Sequence, residues 1–248
     1  MIQDGINIAN TKPIRSFLLV GQSNMAGRGD IGDVPPIENE NCHMLRMGRW
    51  QKMREPINPD RGIFEGTYRS GIGLGASFAD TVVKATEWTV GLIPCADGGT
   101  RIDQWAEGGI LFDHAVMMTK LAMRTSTLSG ILWHQGESDC DTDERCLAHK
   151  ENFRTMITAL RRALGAEELP LLIGELSHQL TSRHNMAERA LILNRQYHEL
   201  AAELPNCKII SAEGLSMRHD GIHFDAAAQR IFGVRYAEAY LSMIESEK

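Results

Sequence analysis

Long apolar runs are missing from this chain: nowhere in its 248 residues does a stretch approach the ~18 consecutive apolar side chains that a membrane-spanning helix needs. No membrane partner is expected. Clustered positive charge is missing too: 26 Lys and Arg stand interspersed among 32 Asp and Glu for a formal charge of −6. Without a basic stripe to meet a phosphate backbone, nucleic acid is not expected as a partner. Cysteine is sparse and irregular, at Cys42, Cys95, Cys140, Cys146 and Cys207. Such spacing favours reduced thiols over a disulfide framework, though Cys140 and Cys146 could form a local bridge in an exported protein. The amino-terminal stretch MIQDGINIANTKPIRS carries Asp4 and lacks the basic start and apolar centre of a signal peptide, so a cytoplasmic protein is expected. Internal repeats and low-complexity tracts are also absent.

What is present suits a globular chain. A hydrophobic fraction of 43% and a charged fraction of 23% supply a full core, and the length suits one domain over residues 1–248. Short apolar runs recur at SFLLV (16–20), TVGLI (89–93), GILWH (130–134), PLLIGEL (170–176) and CKIIS (207–211). They are too short for helices and do not alternate, the pattern of strands buried on both faces. Between them lie helical segments near 74–87, 111–126, 143–164, 186–203 and 225–245. In the clearest, Phe153, Met156, Ile157, Leu160 and Leu164 form one stripe, with Gly165 and then Pro170 as stop signals. Alternating strand and helix predict an α/β fold, a parallel sheet with helices on both faces and ligands at the carboxyl ends of the strands. The stretch from about 30 to 73, rich in Pro, Gly, Asn and Arg, is expected to be an irregular insertion beside the site.

Four polar clusters follow strands or lie near the end of the chain: GQSN (21–24), ADGGT (96–100), HQGESD (134–139) and DGIH (220–223). A serine hydroxyl is a poor nucleophile until a base takes its proton, and an imidazole, with an ordinary pKa of about 6.5, can do so near neutral pH. Ser23 and His223 suit these roles. Asp220, three residues before His223 across a turn eased by Gly221, can reach the near ring nitrogen and fix the tautomer. His219 is a rival base with no local carboxylate other than adjacent Asp220. An oxyanion needs donors, for which the amides of Ser23 and of Gly98 or Gly99 and the side chain of Gln135 are available.

GQSNMAGRG, GGT, WHQGESD and DGIHF, in this order, resemble the blocks of the SGNH-type hydrolases. More narrowly, they resemble the branch containing carbohydrate esterase family six and the sialate O-acetylesterase-like proteins. The resemblance implies a three-layer α/β/α sandwich, flavodoxin-like, around a five-stranded parallel sheet. It implies hydrolysis of O-acetyl esters on sugars, such as acetylxylan, sialic acid or small acetylated glycosides, through an acetyl-enzyme. Ser23 then matches the nucleophile, His223 the base and Asp220 the acid; Gly98 or Gly99 and Gln135 match the oxyanion donors. The chain has HQGE where many members of the wider superfamily carry an asparagine.

Gln22 and Asn24 are expected to bind substrate or to support the nucleophile. Glu137 could bind sugar, orient Gln135 or Ser23, or pair with Arg101; Arg101 could meet an anionic substrate or form a structural ion pair. Trp105 and Trp133 either flank the pocket or belong to the core. Gly27, Gly29 and Gly32 spell a dinucleotide fingerprint, but Pro35-Pro36 exclude the helix it requires. Asp139, Asp141 and Asp143 imitate a calcium loop, yet Glu144 replaces its glycine and Lys150 its final glutamate, so they are expected on a solvated approach to a helix. No metal and no cofactor are expected. The competing class is a non-catalytic carbohydrate-binding protein that keeps the pocket.

Overall fold

The computed structural model describes residues 13–59, 69–181 and 185–245. Its central strand, β1 (Ile14–Gly21), buries every residue except Arg15. Successive side chains point to opposite faces, so Phe17 and Leu19 enter one apolar cluster and Leu18 and Val20 the other. This two-sided burial is why the run reads as continuously apolar.

Strand β1 pairs in parallel with β4 (Thr89–Pro94) and with β5 (Ser126–His134); β6 (Leu171–Gly174) and β7 (Cys207–Ile210) extend the sheet beyond β5, also in parallel. These are the five strands read from the sequence. Two more lie beyond β4: β2 (Cys42–Arg46), parallel to it, and β3 (Arg49–Lys52), folded back antiparallel. Among the described residues the sheet therefore has seven strands rather than five, ordered β3-β2-β4-β1-β5-β6-β7, and part of the expected irregular insertion is sheet. The hairpin is hard to see because its two-residue turn is Met47-Gly48, both at positive φ (50° and 74°). Met47 occupies the place where Asn or Asp would announce such a turn. Residues 60–68 of that insertion lie outside the described residues, but its two ends meet where Gly29 and Ile72 exchange backbone hydrogen bonds.

Helices α2 (Leu74–Thr86) and α6 (Ala226–Glu245) cover one face around Phe17, Phe78 and Phe232. Helices α3 (Ile110–Met123), α4 (Asp143–Leu164) and α5 (Met186–Glu203) cover the other around Trp133, Phe153 and Tyr197. The three-layer α/β/α arrangement is thus borne out. Thr142 caps α4 by accepting from the Arg145 amide, acidic Asp143 and Glu144 fill its first turn, Arg161 and Arg162 its last, and Gly165 ends it in the left-handed conformation. On the opposite face α2 and α6 approach closely at Gly233, where a Cβ would stand 2.1 Å from the Leu74 carbonyl oxygen. The two layers clamp the sheet and leave the carboxyl ends of β1, β4 and β5 to carry three of the four polar clusters.

Candidate active site

At the exit of β1 the chain turns sharply at Gly21 (φ 132°), whose α-carbon is pressed against β5: a Cβ there would lie 2.0 Å from the His134 carbonyl oxygen. Gln22 then donates its amide to that same oxygen at 2.9 Å, and α1 (Ser23–Ala26) begins. This turn answers why three polar residues follow a buried strand: it lifts Ser23 onto the rim of the sheet. Ser23 Oγ lies 2.9 Å from His223 Nε2, and His223 Nδ1 lies 2.8 Å from Asp220 Oδ2. Asp220 Oδ1 accepts the amides of Ile222 and His223, both at 2.9 Å, so one carboxylate both shapes the turn and faces the ring. Burial pushes the Asp220 carboxyl up, but hydrogen bonds from the His223 ring and the two amides, with the histidine's charge, outweigh it and hold the group at about 2. His219, the rival histidine, is exposed beside this turn.

A cavity of about 420 Å³ opens over Ser23 and His223 and is also lined by Gln22, Gly99, Glu137 and Ser138. Arg28, Arg101 and Arg145 reach the same cavity. Arg101 forks onto Asp103 at 3.1 and 3.2 Å, and Arg145 meets Asp141 at 2.9 Å. Gly98 packs against the nucleophile: a Cβ on it would sit 3.7 Å from the Ser23 Cβ and 2.4 Å from an Arg28 guanidinium nitrogen. The loop's backbone therefore lies beside the serine, and a Cβ there would make ordinary contact with Ser23 and displace the end of the Arg28 side chain.

The model of the family described as carbohydrate esterase, sialic acid-specific acetylesterase, matches residues 13–242. The chain belongs to this family. The SGNH-type resemblance carried by the motifs is borne out with it. The probable carbohydrate esterase At4g34215 of Arabidopsis thaliana is 30% identical over 249 residues, covering 93% of this chain and 91% of that protein. The Arabidopsis protein's 1.6 Å structure superposes with a TM-score of 0.82 at 27% identity, covering 94% and 99% of the two chains. The structure of NanS gives a TM-score of 0.78 at 16% identity with 95% and 98% covered, a likeness of fold.

Within this family member's site one expected role is corrected. Gln135 is completely buried, beneath the cavity floor. Its Nε2 donates to Thr100 O (3.0 Å), to Gln22 Oε1 (3.2 Å) and to the Asp139 carboxyl, while its Oε1 meets His149 Nε2 at 3.1 Å. A carboxamide whose donors are already engaged by three acceptors has none to offer an oxyanion. Gln22 is the partner stitch, its Oε1 also accepting from the amides of Gly136 (3.2 Å) and Ser138 (3.3 Å), so the exits of β1 and β5 are tied together.

Asp139 is a second correction: it is buried, not on a solvated approach, and accepts the Ile102 amide as well as Gln135. Burial drives its carboxyl up to about 6 against those two hydrogen bonds. Asp141 and Asp143 are exposed and pair with Arg145 and Arg189. Trp105 and Trp133 are core residues in edge-to-face contact, 5.4 Å between ring centroids. Glu137 pairs neither with Arg101 nor with Gln135; its Oε1 accepts from Asn24 Nδ2 at 2.5 Å. The sequence reading missed Arg28, Ser138 and Arg145, whose only signal was proximity to a motif or position on the first turn of α4. It also missed His149 and Tyr197, which close the buried network behind Gln135.

Proposed function

We propose that the protein is a serine esterase that removes O-acetyl groups from carbohydrates. The observation that carries this reading is the 2.9 Å approach of Ser23 Oγ to His223 Nε2, in line with the 2.8 Å contact to Asp220. His223 takes the Ser23 proton as Oγ attacks the acetyl carbonyl, then returns it to the departing sugar oxygen. Water, deprotonated by the same imidazole, releases acetate from the acetyl-serine. The amide of Ser23 and the backbone of the Gly98–Gly99 loop, packed beside it, receive the oxyanion in place of Gln135.

The family's description as sialic acid-specific favours an acidic sugar. Of the arginines on the cavity wall, Arg101 and Arg145 are already paired with Asp103 and Asp141, and Asp141 and Glu137 line the same cavity, so the preference rests on the family and not on the wall's charge. O-acetylated sialic acid is therefore ranked ahead of acetylxylan and neutral acetylated glycosides. Five free thiols, Cys140 and Cys146 among them, support placement in a reducing compartment.

The test compares wild type with Ser23→Ala on p-nitrophenyl acetate and a longer-chain ester, then on acetylated sugars. Loss of at least about 10³-fold in kcat by a folded Ser23→Ala protein is expected. Near wild-type turnover by that variant sinks the mechanism. A folded wild type that binds acetylated sugar without cleaving it would return the molecule to the class of binding proteins.

A further inference from the structure

The segment bearing His223 belongs to neither the sheet nor a helix, yet its imidazole must be held to a fraction of an ångström against Ser23. Asp220 fixes the ring from its own turn. That turn is anchored at its start by Arg218, which donates to Arg28 O and pairs with Asp30 at 3.2 Å, and at Gly221, whose carbonyl accepts the Thr181 amide at 2.7 Å. These anchors leave the His223 side of the turn facing α1 across a gap. Asn24, the residue after the nucleophile and 1% exposed, spans this gap. Its Nδ2 donates to Ile222 O at 3.1 Å and its Oδ1 accepts from Phe224 N at 3.0 Å, so one carboxamide grips the chain on both sides of His223. Its own backbone carbonyl is in turn bonded by Gln229 Nε2 at 3.0 Å, tying α1 to α6.

A carboxamide can serve in this way only in one of its two flip states. Glu137 selects that state. It arrives from the far side, just after β5, is 2% exposed, and its Oε1 accepts the second Nδ2 hydrogen at 2.5 Å. With a carboxyl oxygen there, the amide nitrogen must face Glu137 and Ile222 O, and the oxygen must face Phe224 N.

We propose that Asn24 and Glu137 form a latch that positions His223 against Ser23, Glu137 acting through Asn24 rather than on the substrate. The inference rests on the esterase reading for its rate effects, not for its geometry. Both are positioning residues.

The test measures kcat and KM for p-nitrophenyl acetate in wild type, Asn24→Ala, Glu137→Ala, the double variant and Glu137→Gln, with thermal melts as the folding control. Asn24→Ala is expected to lower kcat about 10–10²-fold, with KM within about twofold, because a misplaced base costs rate rather than binding. Glu137→Ala should cost about tenfold, and the double variant should be no slower than Asn24→Ala alone, since residues in series do not add. Glu137→Gln retains an acceptor and should stay within about threefold of wild type; it also carries the test if Glu137→Ala does not fold. Multiplying losses, a rise in KM, or Glu137→Gln as slow as Glu137→Ala would each overturn the latch.

A second readout needs no turnover: the low-field proton resonance of His223 Nδ1–H facing Asp220. It should be sharp in wild type and lost or broadened in Asn24→Ala and Glu137→Ala. If wild type proves inactive, the esterase reading fails and this resonance alone judges the latch. An unchanged resonance in both alanine variants overturns it.

Discussion

A buried carboxamide must place two donors and an acceptor, and Gln135 spends all of them inside the protein. That makes it a structural tie where sequence order suggested a catalytic donor. Gln135→Ala would take from the buried Thr100 carbonyl its Gln135 donor, at a cost of about 1–3 kcal/mol, and would leave Asp139 with the Ile102 amide and Gln22 with the Gly136 and Ser138 amides. The urea midpoint should therefore fall while turnover drops by less than about 10²-fold; an unchanged midpoint with a loss of about 10²–10³ in kcat would restore the oxyanion role. At this scale the contact of Asp220 with His223 was legible because a turn of three residues is local, and local geometry follows from sequence. Asp139 was not, because whether an acid is solvated or buried depends on what packs over it, here the Ile102 turn from a different part of the chain.

Elements were legible where one physical rule dominated. The five strands buried on both faces and the amphipathic stripe of α4 follow from apolar periodicity, and the stop at Gly165 from its left-handed backbone. The β2–β3 hairpin was illegible because its strands are short, partly polar and joined by a turn led by Met47. The packing of α2 on α6 was also out of reach, since Gly233 within a helix pattern announces no partner. Gly233→Ala places a methyl group at the Leu74 carbonyl and must push the helices apart. A loss of about 1–3 kcal/mol or more is expected, read as a lowered melting temperature. An unchanged or raised melting temperature would show that the helices yield at no cost.

Over the whole molecule, burial governs the response to acid. His43, His114, His134 and His149 are all pushed below the ordinary imidazole range by burial, His149 to about 3. In the unfolded chain each takes a proton near its ordinary value of about 6.5. Below that pH the unfolded state binds more protons, so stability falls as pH falls, by up to about 1.4 kcal/mol per pH unit for each such group. Asp139 works in the opposite sense: raised to about 6, it binds its proton in the folded state first and favours folding as pH falls from about 6 toward 4. Four histidines outweigh one carboxyl, and the urea midpoint should drop between pH 7 and pH 5. A midpoint that holds or rises over that interval would show that these rings take up protons without unfolding.

The amino-acid sequence by itself determined the alternation of strand and helix, the place of the polar clusters at strand ends, and the local turn that sets Asp220 against His223. These follow from periodicity, turn geometry and side-chain chemistry, all read within a few residues. Only the tertiary structure decided that Gln135 faces inward, that Asp139 is buried, that two further strands extend the sheet, and that Asn24 holds the His223 segment. Each of these depends on contacts between residues distant along the chain, about 200 apart for Asn24 and Phe224. Hydrogen bonds at that separation are set by which faces pack together, and the pattern of any single segment does not contain that information.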